Sequence, residues 1–161
     1  MKQDKFLIII SFLAMFSVNN CFAAEFPNQT LGLTFNIPDT WKTDERDGNL
    51  TAFSPDERLI MAFSVATDEQ GLNTWQAKVQ QQITNLTGNG EQVQMSLSDG
   101  LVATVRKGRG ELDEMGQVDI ATFIIQSKNQ MLLIVTAQTS QSASDYETEA
   151  ENIFRSIRRL N

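Results

Sequence analysis

The sequence contains no histidine, and its one cysteine, Cys21, stands near the amino terminus. Ser-His-Asp triads and Cys-His nucleophile pairs need histidine as their base, and the usual structural zinc sites are built from histidine and cysteine. Carboxylates, lysine, Tyr146 and hydroxyl side chains remain for catalysis, but no spacing among them indicates an active site. We therefore expect a protein that is not an enzyme and that has no catalytic residue, metal or cofactor.

The apolar run Phe6–Val18 is short, about thirteen residues, whereas a helix that spans a bilayer needs roughly 20. Two lysines precede the run, and small residues around Ala23 follow it. This layout is typical of a secretory signal peptide. We predict a signal peptide over residues 1–23, a periplasmic protein over residues 24–161, and no transmembrane span after processing.

Cys21 makes a lipid-anchored protein the alternative to a soluble exported one. Cleavage after Ala23 would remove this cysteine and release a soluble protein. Processing just before Cys21 would instead leave a lipid-anchored protein. Asn20 fits poorly before a lipid-modified cysteine, so the soluble form is the first expectation and lipidation of Cys21 the alternative.

The length and charge of residues 24–161 indicate one soluble domain. A chain of this size buries a sufficient core without disulfides or metal. The formal charge of the whole sequence is −7. That charge disfavours nucleic acid and anionic membranes as partners.

Alternation of apolar and polar residues predicts half-buried strands, namely Leu31–Ile37, Leu59–Val65, Val93–Leu97 and Leu101–Val105. Asp99-Gly100, between the last two, is a strong signal for a hairpin, and Asp47-Gly48 indicates another turn. Val118–Ile125 and Met131–Ala137 are apolar at nearly every position. Strands of that kind are covered on both faces, so we expect these two in the middle of a sheet.

Two stretches have helical spacing. In the first, Asn73 is the expected N-cap with Gln76 in the capping-box position, and Gly88 is the expected end. In the second, Ser144 and Glu147 form the expected capping box. The apolar stripes are Leu72, Trp75, Val79, Ile83 and Leu86 in the first, and Tyr146, Ala150, Ile153, Phe154, Ile157 and Leu160 in the second.

These elements predict an α+β fold: one antiparallel sheet of about six or seven strands flanked by two long helices. The strands that are apolar on both faces favour helices on opposite sides of the sheet.

Two segments resemble the PsbP-like domain family. Gly32–Trp41, with Phe35, Pro38 and Trp41 at characteristic positions, looks like the opening of these domains, and Phe154–Arg158 looks like the end of their last helix. The resemblance extends over nearly the whole of residues 24–161. It implies an α/β/α sandwich around an antiparallel sheet. It also implies a protein that binds other proteins, as in bacterial envelope proteins of the DcrB type, so the expected partner is another envelope or secreted protein. The resemblance brings no catalytic residues with it.

The run Arg106, Lys107, Gly108, Arg109 and Gly110 is the most unusual in the sequence. Alternation from the preceding valine would place the lysine and the second arginine on the apolar face, unless the strand bulges. Glycines often mark a bulge or a close approach of two backbones. The three cations either bind an anion or a partner's carboxylate, or they protect the edge of a strand that leaves the core.

The acidic residues Glu111, Asp113, Glu114 and Asp119 surround a Met-Gly pair. Hard oxygen ligands of this kind hold calcium, but the ligand spacing of the EF-hand is missing. An acidic turn between strands is therefore the favoured interpretation.

These observations predict an exported, non-catalytic protein-binding or accessory domain of the bacterial envelope. One alternative is an immunity or chaperone protein for a secreted toxin, and a more remote one is a hydrolase that uses carboxylates or a Ser-Lys pair.

Overall fold

The computed structural model describes residues 24–88, 91–141 and 144–160, so the predicted signal peptide and Cys21 lie outside the described residues. The strands are β1 (Ala24–Asn28), β2 (Leu33–Ile37), β3 (Lys42–Arg46), β4 (Asn49–Phe53), β5 (Leu59–Ala66), β6 (Thr84–Thr87), β7 (Gln92–Ser96), β8 (Val102–Leu112), β9 (Gly116–Ser127), β10 (Gln130–Gln138) and β11 (Arg158–Arg159); the helices are α1 (Glu69–Gln82) and α2 (Ser144–Ser156). Neither helix combines the length and the apolar composition needed to cross a membrane.

The strands of the described residues form two antiparallel sheets. The larger has eight strands in the order β3-β4-β5-β10-β9-β8, and both β6 and β7 pair with the outer side of β8. The smaller consists of β1, β2 and β11, with β2 in the middle. The fold is thus mixed α+β, as predicted, and β9 and β10 are interior strands, as their continuous apolar sequences indicated.

The larger sheet has a core on each face because successive side chains of a strand point to opposite sides. The α2-side core includes Phe63, Ile125, Leu132, Ile134, Ile153 and Phe154. The α1-side core includes Trp75, Val79, Ile120, Leu133 and Val135. The helices therefore pack on opposite faces of the sheet, which confirms the predicted three-layer arrangement.

The expectation of a single sheet of six or seven strands was wrong. β2 was placed in that sheet, but it pairs with β1 and with β11 instead. Its apolar side packs against the larger sheet, where the rings of Phe35 and Phe63 stack with centroids 4.5 Å apart. A strand whose neighbours lie at the two ends of the chain is set by distant contacts, which local alternation does not reveal.

The residues that carry the family resemblance are packing residues. Phe35 and Trp41 are each only 5% exposed. The backbone N–H of Trp41 donates to the carbonyl of Pro38 at 3.0 Å, which closes the turn after β2. The indole Nε1 of Trp41 donates to Glu149 Oε2 of α2 at 2.5 Å. The motif thus joins the start of the fold to its last helix.

The predicted ends of α1 were wrong. The helix begins after Asp68, whose carboxylate accepts from the backbone N–H of Gly71 at 2.7 Å, and Asn73 lies inside it. It ends before Ile83, which is extended, and Asn85 has a φ of 52°. The chain then continues as β6, so Gly88 caps no helix.

The end of α2 was also placed too late. Ala150, Ile153, Phe154 and Ile157 are buried as predicted, but the helix stops at Ser156. Arg158 and Arg159 then pair with β2 as strand β11, so the stripe does not continue to Leu160. The predicted cap at Ser144 involves a side chain outside the described ones.

Both predicted glycine turns are confirmed. Asp47-Gly48 joins β3 to β4, and Asp99-Gly100 lies between β7 and β8. All four residues have positive φ, from 50° to 75°. A primed hairpin turn needs that backbone, which glycine and aspartate tolerate best.

Candidate functional site

The basic run lies on β8, the strand that carries β6 and β7 on its outer side. The register of β8 with β9 is continuous from Ala103, opposite Ile125, to Leu112, opposite Gly116. The strand therefore passes through the basic run without a bulge against β9, and the alternation of its side chains is preserved.

That alternation separates the three predicted binding residues. Val105 belongs to the α2-side core, so Lys107 and Arg109 point to the same side of the sheet as α2. Arg106 points to the α1 side. All three side chains are exposed, but the lysine and the second arginine share one face while Arg106 occupies the other.

On the α2 side, Arg109 and Asp119 are directly opposite in register. Their side chains form an ion pair of 2.7 Å and are 81% and 58% exposed. An ion pair that is so open to water contributes about 0–1 kcal/mol to stability. This pair is consistent with a strand that leaves the core, which was the second of the two interpretations.

The glycines of the run allow a close approach of two backbones. A Cβ atom on Gly108 would lie 2.8 Å from the carbonyl oxygen of Thr87, and one on Gly110 would overlap Ile83 Cγ2. The segment from Ile83 through β6 thus lies beside β8 at a distance that side chains at the two glycines would prevent. Close approach, rather than a bulge in β8 against β9, is the reason for the glycines.

The acidic residues that follow are held separately. Glu111 accepts from the side-chain amide of Asn85 at 3.0 Å, Asp119 pairs with Arg109, and Asp113 and Glu114 lie in the turn between β8 and β9. No group of three potential metal ligands occurs among the described residues. The arrangement fits the acidic turn that the sequence favoured.

The α1 side of the larger sheet is not covered along its whole width. Buried residues continue across β10 and the first half of β9, and the last residue of β8 is buried there too. The same face of β7 and of residues 102–106 of β8 is open. We call this surface the open platform. It consists of Gln92, Gln94, Val102, Thr104 and Arg106, of which only Thr104 is partly buried.

Two rows of opposed residues show how the core gives way to the open platform. One row runs from buried Leu133 to partly buried Ile124, then Thr104 and exposed Gln94. The parallel row runs from buried Val135 to Thr122, Arg106 and Gln92. α1 covers the β10 end of each row, and side chains become more polar and more exposed toward β7.

Arg106 is the charged group of the open platform. Gln92 lies directly opposite it, and the Gln92 amide is within hydrogen-bonding distance of the guanidinium. Val102, 44% exposed, adds an apolar contact area on the same face. Amide, hydroxyl, guanidinium and apolar groups at a sheet surface are suited to binding the surface of another protein.

Of the open platform, only Arg106 was singled out from the sequence. The alternation of β7 and β8 already implied that Gln92, Gln94 and Thr104 share a face. The extent of α1 decides whether that face is covered, and no pattern within the two strands carries that information.

No family model matches the sequence, and no curated protein matches it in sequence. Solved structures match in fold. The solution structure of cyanobacterial PsbP (CyanoP) from Synechocystis sp. PCC 6803 aligns over 91% of this chain and 97% of its own, with 8% identity and a TM-score of 0.61. A crystal structure from Bacteroides thetaiotaomicron VPI-5482 aligns over 86% of this chain and 49% of its own, with 12% identity and a TM-score of 0.57.

The fold of this chain is therefore PsbP-like, as the two sequence segments implied. This chain spans about half the length of the Bacteroides protein. At such low identities the likeness concerns the fold alone.

Proposed function

We propose that this chain is an exported, non-catalytic binding domain of the bacterial envelope, and that it contacts another protein through the open platform. The observation that carries the proposal is the uncovered part of the α1 side, on β7 and residues 102–106 of β8. A sheet face next to a core is normally covered by another layer, and here exposed side chains of β7 and β8 take the place of that layer.

The chemistry of the open platform supports a protein partner. Val102 of the platform is 44% exposed, and Leu86, which lies outside the platform with its Cδ1 next to Gly108, is 43% exposed. Arginine is enriched at protein interfaces, and Arg106 offers a planar guanidinium that pairs well with a carboxylate. Lys107 and Arg109 remain candidates for a separate contact on the α2 side.

Export to the periplasm belongs to the same proposal, and so does a relation to envelope proteins of the DcrB type. Support comes from the signal-like sequence of residues 1–23. Processing before Cys21 would instead leave a lipid on Cys21, three positions before Ala24. The mass of the amino-terminal peptide of the purified protein distinguishes a chain that starts at Ala24 from a lipidated Cys21.

Site-specific photocrosslinking in the producing cell tests the open platform. A photoreactive amino acid replaces Val102 in one variant and, as a control, exposed Thr43 of β3 at the far edge of the sheet in another. We expect a crosslink to a second protein from position 102 and none from position 43. Arg106→Ala should lower its yield, because the guanidinium leaves the contact.

The double variant Lys107→Ala/Arg109→Ala is the matched control for charge, since it removes cations from the opposite face. Its crosslink yield should equal that of the wild type. If that variant loses the crosslink while Arg106→Ala keeps it, the contact lies on the α2 side and the platform proposal is wrong.

A further inference from the structure

The free edges of the two sheets differ in how well they are protected from pairing with another strand. β3 carries four charged residues in five, and charge on an edge strand opposes pairing. β1 contains Glu25 and Pro27. β6 is short, has a register irregularity and has Asn85 at positive φ. Each of these features is a known means of blocking an edge.

β7 has none of these features. Its sequence, Gln-Val-Gln-Met-Ser, contains no charge and no proline. Its five residues pair with β8 in continuous register from Gln92, opposite Arg106, to Ser96, opposite Val102. Among the described residues, β7 pairs with β8 alone. One full side of the strand thus offers backbone N–H and C=O groups in extended geometry.

The side chains of β7 leave apolar surface at this edge. Val93 is 54% exposed, the highest value among the exposed large apolar residues of the described chain. Met95 lies on the same, α2-facing side and packs partly against the α2-side core. A strand added beside β7 would cover Val93 and extend that core outward.

We propose that β7 pairs with β7 of a second copy of this chain, antiparallel and about a two-fold axis at Gln94. Residues in opposed positions of an antiparallel pair share a face of the sheet. The two-fold axis must therefore lie midway between one residue and the same residue of the second copy. An axis at Gln94 gives the fullest overlap of two five-residue strands.

The sequence of β7 is complementary to itself in this register. Val93 lies opposite the partner's Met95 on the α2 side, which brings two apolar side chains together. Gln94 lies opposite its own copy on the α1 side, where two amides can hydrogen-bond. Gln92 lies opposite the partner's Ser96, and no like charges meet within the strand. The same operation on β3 would place Lys42 opposite Arg46.

This pairing uses the edge of β7, whereas the binding function proposed above uses the face of the open platform. Gln92 and Gln94 belong to both surfaces, so Val93, which lies only at the edge, and Val102, which lies only in the platform, separate the two proposals. A five-residue strand pair buries a small area, and small interfaces form weak, concentration-dependent complexes. The dimer therefore depends on protein concentration, and sedimentation velocity over a wide range of concentrations is the suitable measurement.

The first experiment compares Val93→Lys with Val102→Lys, both in the full exported protein. The two changes remove the same residue type and add the same charge at comparably exposed positions. Position 93 lies on the edge strand, whereas position 102 lies on β8 and on the opposite face. Val93→Lys should raise the dimer dissociation constant by about tenfold or more, and Val102→Lys should leave it unchanged.

The second experiment tests the register by oxidation, in a Cys21→Ser background so that the introduced thiol is the only one. Directly opposed residues lie within disulfide range. Gln94→Cys should crosslink to itself at a rate that increases with protein concentration. Gln92→Cys alone should not, but it should crosslink when it is mixed with Ser96→Cys.

Circular dichroism of each variant shows whether it is folded. A protein that sediments as a monomer at every concentration, with no disulfide from Gln94→Cys, would overturn the proposal. Equal crosslinking from Gln94→Cys and Gln92→Cys would overturn the proposed register, because disulfides would then form by random collision and not in a defined strand pair.

Discussion

At the scale of single residues, Trp75 is the clearest test of the α1-side core. Its side chain is 9% exposed and lies with Val79 in that core. We expect Trp75→Ala to lower the free energy of unfolding by about 3–5 kcal/mol, since the change removes a large buried ring. A urea melt measures the loss.

Gln80→Ala is the matched control for Trp75→Ala, because Gln80 is exposed on the same helix. Its effect should stay within about 0.5 kcal/mol. Equal effects of the two substitutions would show that the helix presents a different face to the sheet.

Gly108 and Gly110 show how far a residue-level prediction extends. The sequence indicated either a bulge or a close approach of two backbones. The structure shows the close approach of β6, with continuous register against β9 and a register irregularity in the β6–β8 pair. The choice depends on where β6 lies, and β6 itself was expected to be the last turn of a helix. The glycines limit the local backbone to a bulge or a close approach, and the position of β6 decides which of the two occurs.

At the scale of elements, the start of α1 depends on one cap. Asp68 accepts from the backbone N–H of Gly71, which satisfies one of the donors that a helix leaves open at its first turn. Asp68→Ala should therefore cost about 0.5–2 kcal/mol of stability.

Asn73→Ala is the comparison that separates the observed helix start from the one expected from sequence. Asn73 is exposed and lies within α1, where alanine is the better helix former. Its urea melt should show no loss of stability, or a slight gain. A larger loss from Asn73→Ala than from Asp68→Ala would mean that the helix begins near residue 73.

The ends of both helices were harder to predict than their buried stripes. Trp75 and Val79 in α1, and Ile153 and Phe154 in α2, are buried as their spacing indicated. Leu86, which was predicted in the buried stripe of α1, is instead 43% exposed and lies in β6. Arg158, which was predicted in the second helix, lies in β11. Each of those strands forms by pairing with a strand that is distant in the sequence, β8 for β6 and β2 for β11. The local periodicity of a segment does not reveal such a partner.

At the scale of the whole molecule, the larger sheet joins the two cores. The chain has two tryptophans, with Trp41 in the α2-side core and Trp75 in the α1-side core. Because the interior strands contribute side chains to both cores, neither core can open without disturbing the other. We expect a single cooperative transition.

Two single-tryptophan variants measure this cooperativity. Trp75→Phe leaves Trp41 as the reporter, and Trp41→Phe leaves Trp75. In each variant, the urea midpoint from fluorescence should coincide with the midpoint from circular dichroism. Separate midpoints would show that one layer unfolds before the other.

The candidate site also belongs to the scale of the whole molecule. The sequence identified Arg106, Lys107 and Arg109 as one cluster, because the three are adjacent along the chain. The sheet distributes them over two faces, so the contact proposed here joins Arg106 with Gln92, Gln94 and Thr104 of two strands. The open platform exists because α1 does not extend over β7 and the neighbouring part of β8. The extent of that cover depends on how the helix packs on the sheet.

By itself, the sequence determined the fold class, the interior strands, the centres of the two buried stripes, the two glycine turns and the absence of histidine-based chemistry. All of these follow from composition or from periodicity over a few residues. Only the tertiary structure decided the second sheet, the strands β6 and β11, the separation of the basic run and the open platform. Those features arise from contacts between distant segments, and such contacts form only once the layers have packed.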